Sequence, residues 1–140
     1  MDGAVERLGV ELEDLTARIA QRIVEQVPEY QVDAVARQML VPFLRQNADE
    51  VMRVLRGIET TTAAARNVAL VDAVATDLSL DAVERTYAIA RDAFADRLRA
   101  LAADDEDLAG PLARLDEAYV MVLEAIRDEY RAAKERLERE

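Results

Sequence analysis

The chain reads as all-α. Three observations predict this. Twenty-six of the 140 residues are alanine, with leucine, arginine and glutamate filling much of the rest, and these are strong helix formers. Apolar residues recur at three- and four-residue spacing, and no stretch alternates strictly with β-branched residues as a half-buried strand would. Helix-breaking punctuation is sparse, at four Gly and three Pro. The expected architecture is one domain over 1–140, built as a bundle of about five helices with a long protruding last helix.

The first helix carries Leu8, Leu12, Leu15, Ile19, Ile23 and Val27 as one apolar stripe. Pro28 ends it, because proline disfavours helical geometry in the residue before it. A second helix is expected from about Val32 to Arg56, with Val35, Met39, Phe43, Val51 and Leu55 inward. Pro42 lies inside it and removes one backbone hydrogen bond. Gly57 suits the position just past its end. Thr60, Thr61 and Thr62 offer a cap for a third helix running to about Asp77. The same threonines read as phosphorylation sites in a second interpretation; capping is the commoner role. Ser79 caps a fourth helix, with Asp81 in its first turn and a buried stripe of Leu80, Val83, Tyr87, Ala90, Phe94, Leu98 and Leu101.

The run Asp104-Asp105-Glu106-Asp107 lacks the alternating ligands, central Gly and closing Glu of a calcium loop. It reads as an acidic connector. The final helix starts at Pro111 and carries Leu112, Leu115, Tyr119, Val122, Ile126, Tyr130, Ala133 and Leu137 to about Arg139. Its length of roughly 43 Å exceeds the diameter of about 37 Å for a compact domain of this size. Residues 128–140 are therefore expected to form a linker helix toward an output domain. Tyr119, Val122, Ile126 and Tyr130 are the expected dimer and signalling seam, giving a homodimer.

Composition restricts the chemistry. The chain has no His and no Cys, and its one lysine is Lys134. A Ser-His-Asp or Cys-His catalytic set cannot be built. Cys/His zinc sites and His- or Cys-ligated haem are excluded as well. We expect a non-enzyme without cofactors. The net charge is −11, which opposes binding to nucleic acid and to anionic membranes. No apolar run approaches the roughly 20 residues of a membrane helix. The opening MDGAVERLGVELED lacks a signal peptide's basic and apolar regions, so a cytoplasmic location is expected.

Tyr87, Arg91 and Phe94 share one side of the fourth helix by their spacing. They could wall a small pocket, with Arg91 facing an anion and Arg66 of the third helix in a similar position. In the plainer reading, Tyr87 and Phe94 are core and Arg91 is an edge residue whose stem lies along apolar surface.

The stretch from Leu80 to Phe94, LDAVERTYAIARDAF, resembles the leucine-x-x-leucine-x-arginine-alanine-tyrosine-arginine-x-glycine segment in the N-terminal domain of PucR/CdaR-like bacterial transcription regulators. That domain type is similar to the N-terminal domain of RsbR-type stressosome proteins. The segment Thr62 to Ser79 sits where the family has a helix and a short turn. Ile19 to Tyr30, with its Val-Pro-Glu-Tyr, fits the family's first helix and its exit. This chain has Asp77-Leu78-Ser79 where the family's turn carries Gly and Pro, and Ala90 at the family's helical Gly. The resemblance implies a globin-like sensory domain of a transcription or stress-response regulator. Such a domain binds no haem, dimerises and signals through its last helix. A stand-alone helical adaptor or assembly module without a small-molecule ligand is the alternative.

Both halves of the chain are acidic. Residues 1–70 carry eight basic and eleven acidic side chains, and residues 71–140 carry ten and eighteen. We expect no salt-sensitive, sub-micromolar DNA binding in a gel shift at low salt, because neither half offsets phosphate repulsion.

Overall fold

The structure, a computed structural model, describes residues 3–58 and 78–139. Six helices and no strand occur among the described residues: α1 (Ala4–Val10), α2 (Leu12–Gln26), α3 (Glu29–Val32), α4 (Ala34–Leu55), α5 (Leu80–Leu101) and α6 (Ala109–Arg139). The expected third helix, with Thr60, Thr61, Thr62 and Arg66, lies outside the described residues.

The helix ends follow local chemistry. Val27 closes α2, its N–H bonded to the Ile23 carbonyl at 2.8 Å, and Pro28 follows as expected. Asp33 caps α4 by accepting from the Ala36 N–H at 2.9 Å, and Ser79 caps α5 by accepting from Ala82 at 3.1 Å. Asp107 accepts from the Ala109 N–H at 2.9 Å, so α6 starts two residues before Pro111. Pro111 still falls in the first turn, where its missing N–H costs nothing.

The C-terminus of α4 is fully accounted for. Arg56 N–H bonds Met52, Ile58 N–H bonds Arg53, and Gly57 N–H bonds Val54. Gly57 has φ +77°, the left-handed conformation that lets the chain close back on the helix. The Leu55 carbonyl accepts from Arg114 Nη2 of α6 at 2.7 Å, and Val54 also accepts from Arg114 Nε at 3.1 Å. All four terminal carbonyls thus have donors.

Ion pairs fix the topology. Glu11 pairs with Arg97, and Glu29 with Arg85, so α2 and α5 run antiparallel. Glu84 pairs with Arg127, and Arg91 with Asp116, so α5 and α6 are antiparallel too. α5 therefore lies between α2 and α6, and α4 packs on α2 and α6. The core is aliphatic apart from Tyr30, Tyr87 and Phe94. Two buried threonines return their hydroxyls to their own helices: Thr16 donates to Leu12 at 2.7 Å and Thr86 to Ala82 at 2.8 Å.

Two expectations are corrected. The single stripe Leu8–Val27 is not one helix. The chain breaks at Glu11 (φ −93°, ψ 3°) and α1 and α2 are separate, while the four-residue α3 follows Pro28. The buried face of α4 is Ala36, Leu40, Leu44, Ala48, Val51, Met52 and Leu55. Val35 is exposed, and Met39 and Phe43 are only half-buried. Two of the buried positions are alanines, which carry little weight in a pattern built on bulk. In α5, Val83, Tyr87, Ala90, Phe94 and Leu98 are buried as expected, with Leu80 and Leu101 half-buried.

Gly57→Ala forces a Cβ into a left-handed conformation. It is expected to lower stability by about 1 kcal/mol, read as a lower urea midpoint at unchanged slope.

Candidate functional site

The residues singled out in the sequence fall along the α5–α6 contact. Tyr87 is buried and meets Phe43 of α4 edge-on, with ring centroids 5.1 Å apart and an interplanar angle of 69°. That geometry suits the opposed charge distribution of ring edge and face. Phe94 is 1 % exposed and belongs to the core. Neither ring lines a surface. Arg91 stands at the edge of the same helix, facing α6. It donates to Asp92 at 2.8 Å and to Asp116. The Asp116 and Asp92 hydrogen bonds hold its guanidinium above the ordinary arginine pKa. Its donors therefore already face two carboxylates. Arg66 lies outside the described residues; of the other three, Tyr87 and Phe94 are in the core and Arg91 is at the edge of α5.

On the facing helix, Tyr119, Val122 and Tyr130 are half-buried against the domain's own core, and Ile126 is fully buried in it. The sequence reading placed this seam against a second copy; the structure places it against α5 and α4. Away from that seam α6 carries exposed Val120 and Met121, while exposed Leu137 continues the Ile126–Ala133 side one turn beyond the last buried residue. Tyr130 donates to the Leu78 carbonyl at 3.4 Å, tying α6 to the residues just before α5.

Around Tyr119 the electrostatics are specific. Arg127 spans both oxygens of Glu84, at 3.0 and 3.3 Å. Tyr119 lies in the field of Asp92, Glu84, Arg91 and Arg127. Partial burial, then the two carboxylates, push its phenol above the ordinary tyrosine range. The convergent groups are thus arginine–carboxylate pairs around a phenol that stays protonated at neutral pH. Their chemistry sets the register of two helices. Among the described residues, no three carboxylates converge as a metal site, and no helix is long and apolar enough to cross a membrane.

Sequence reasoning missed Glu106. It sits in the acidic connector, yet Oε2 accepts the first N–H of α1, Ala4, at 2.9 Å. Oε1 accepts from Arg7 at 3.2 Å and from the Ala103 N–H at 3.3 Å. The Ala4 hydrogen bond, more than any other influence, holds its carboxyl below the usual range. One acid among four in a run gives no local signal for this. The partner lies 102 residues away. Glu11 is a second case: both its oxygens accept from Arg97 at 2.7 Å, which lowers its pKa.

Comparison of the chain with protein-family models, curated proteins and solved structures gives no match.

Tyr119 gives a pH test. Its folded pKa is raised above the unfolded value, so its contribution is complete below the unfolded pKa, near 10. That contribution is lost as pH rises through the higher folded value. Absorbance titration at 295 nm is expected to show tyrosine ionisation that extends above the range of a free phenol. Tyr119→Phe should lower the amplitude of that late phase by one tyrosine.

Proposed function

We propose that the chain is a dimeric, haem-free signal-relay domain, similar to the N-terminal sensory domains of PucR/CdaR-like and RsbR-type regulators, with α6 as its output helix. The observation that carries this reading is the asymmetry of α6. The helix has 31 residues, or roughly 46 Å at 1.5 Å per residue. Ala133 is its last buried residue, and 134–139 are all exposed. One face of α6 is anchored in the core up to that point. The outward side, with Val120 and Met121, is left for a second copy. A helix tied to the sensor on one side and open on the other can carry a change in packing to whatever it contacts. The lack of His and Cys supports the haem-free part of the reading.

A second reading has its own observation. Tyr87 and Phe94 fill the core and Arg91 is paired on two sides. This favours an adaptor or assembly module in which no small molecule binds at that place.

Analytical ultracentrifugation separates the two. The relay reading expects a dimer at tens of micromolar, weakened by Met121→Glu, because a carboxylate in an apolar contact must lose its hydration. Ile126→Glu is unsuitable as an interface probe, since it would place a charge in the domain's own core. A wild-type chain that stays monomeric, or a dimer indifferent to both Met121→Glu and Val120→Glu, would overturn the relay reading.

A further inference from the structure

Helix α1 has fewer fully buried residues than α2, α4, α5 or α6. It has seven residues, too few to persist alone in water. Only Ala4 and Leu8 are fully buried, and Val10 is 88 % exposed. A single non-helical residue, Glu11, joins it to α2. What holds it otherwise is ionic. At its start, Glu106 accepts the Ala4 N–H at 2.9 Å and pairs with Arg7 at 3.2 Å, while Arg7 Nε donates to the Leu101 carbonyl at 3.0 Å. In its middle, Glu6 meets Arg56 of the α4 end through both oxygens, at 3.1 and 3.3 Å. At its exit, Glu11 is gripped by Arg97 of α5, with Arg18 of α2 adding a weaker attraction. Gly9 lets the helix lie close on α4: a Cβ there would stand 3.2 Å from the Met52 methyl and 3.5 Å from Arg56. α1 thus bridges the C-terminal parts of α4 and α5.

We propose that α1 is a releasable strap, clamped across the ends of α4 and α5 by the Glu106–Arg7, Glu6–Arg56 and Glu11–Arg97 latches. It lets go as a unit while α2, α4, α5 and α6 stay folded. The latches are all solvent-accessible, with side chains 25 to 52 % exposed. Dissolved salt reaches them, and at 1 M the screening length is about 3 Å. The aliphatic core under α2, α4 and α5 has no such sensitivity. Local opening free energies in a folded domain span a wide range, and an element with few buried apolar groups sits at the low end. Release takes Leu8 out of its seat and uncovers the apolar ends of α4 and α5. The state of the strap therefore sets whether that surface is open. This inference is independent of whether α6 pairs with a second copy.

The test is hydrogen–deuterium exchange of the full chain at pH 7, in 0.05 M and in 1 M NaCl. The expected result is at least a tenfold rise in exchange for the α1 amides at high salt, with less than a twofold change in α4 and α5. The double variant Glu11→Gln, Glu106→Gln should show the fast α1 exchange already at low salt, with native helix content by circular dichroism. Equal protection of α1 and α5 at both salts would overturn the proposal. So would loss of protection in α1 and α5 together. A double variant that fails to fold would also count against it, since the latches would then hold the whole domain. The wild-type salt comparison stands without that variant.

Discussion

The packing of the domain depends on how closely other helices can approach α5. Of its buried residues, Ala82, Ala90, Ala93 and Ala95 are alanines, set among Val83, Thr86, Tyr87, Phe94 and Leu98. Alanine places no bulk between helix backbones, so neighbours can draw near on several sides. α1, α2 and α6 all pack on this one helix. The larger side chains between the alanines then fill the gaps that remain. Tyr87 reaches Phe43 on α4, and Phe94 is enclosed in the core. A single helix with alternating small and large buried positions thus organises a core that has no tryptophan and few rings.

Arginine supplies what an aliphatic core lacks, namely direction. Leucine and alanine faces slide over one another at little cost, so apolar burial alone leaves register loosely set. Here several long-range contacts of α5 are pinned by arginine guanidinium groups. Arg97 grips both oxygens of Glu11, Arg85 lies between Glu29 and Asp81, and Arg127 of α6 spans Glu84. Arg114 uses the same fork on two carbonyls at the end of α4. A lysine offers a point charge and no such planar pairing. This fits the near-absence of lysine in the chain. The pairs sit at the rim, where each contributes little to stability but a wrong register would leave several groups unmatched.

Much of the fold was legible in the sequence, and the parts that were not share a cause. The ends of α4 and α5 were readable because their signals are local: Ser79 and its first turn, and Gly57 with its left-handed φ. The buried stripe of α5 was readable because its bulk recurs at helical spacing. The break at Glu11 was not. Leu8 and Leu12 keep the spacing across it, and the partner of the Glu11 carboxylate at the break, Arg97, lies 86 residues on. The inner face of α4 was misplaced because Ala36 and Ala48 look neutral while Val35 looks apolar. Of the candidate site, the sequence found Tyr87, Arg91 and Phe94 on one helix. It could not show that Asp116 arrives from α6 to occupy Arg91. Nor could it show that the seam Tyr119, Val122, Ile126 and Tyr130 faces inward.

The anchoring of α6 restricts how a relay through it could work. Rotating the helix by one residue, about 100° at 3.6 residues per turn, would carry Ile126 from full burial toward solvent. It would also swing Arg114 off the Val54 and Leu55 carbonyls and Arg127 off Glu84. Leu55 would lose the donor that completes the α4 end. Small continuous motions are therefore opposed by several independent groups at once. Packed interfaces respond instead by passing between discrete arrangements. A relay of the kind proposed must have a second packing of α6 in which Ile126 finds another buried seat and the α4 carbonyls find other donors. A step of one turn along the helix axis, about 5.4 Å, would keep the same face of α6 inward, which makes it a more economical transition than a free rotation.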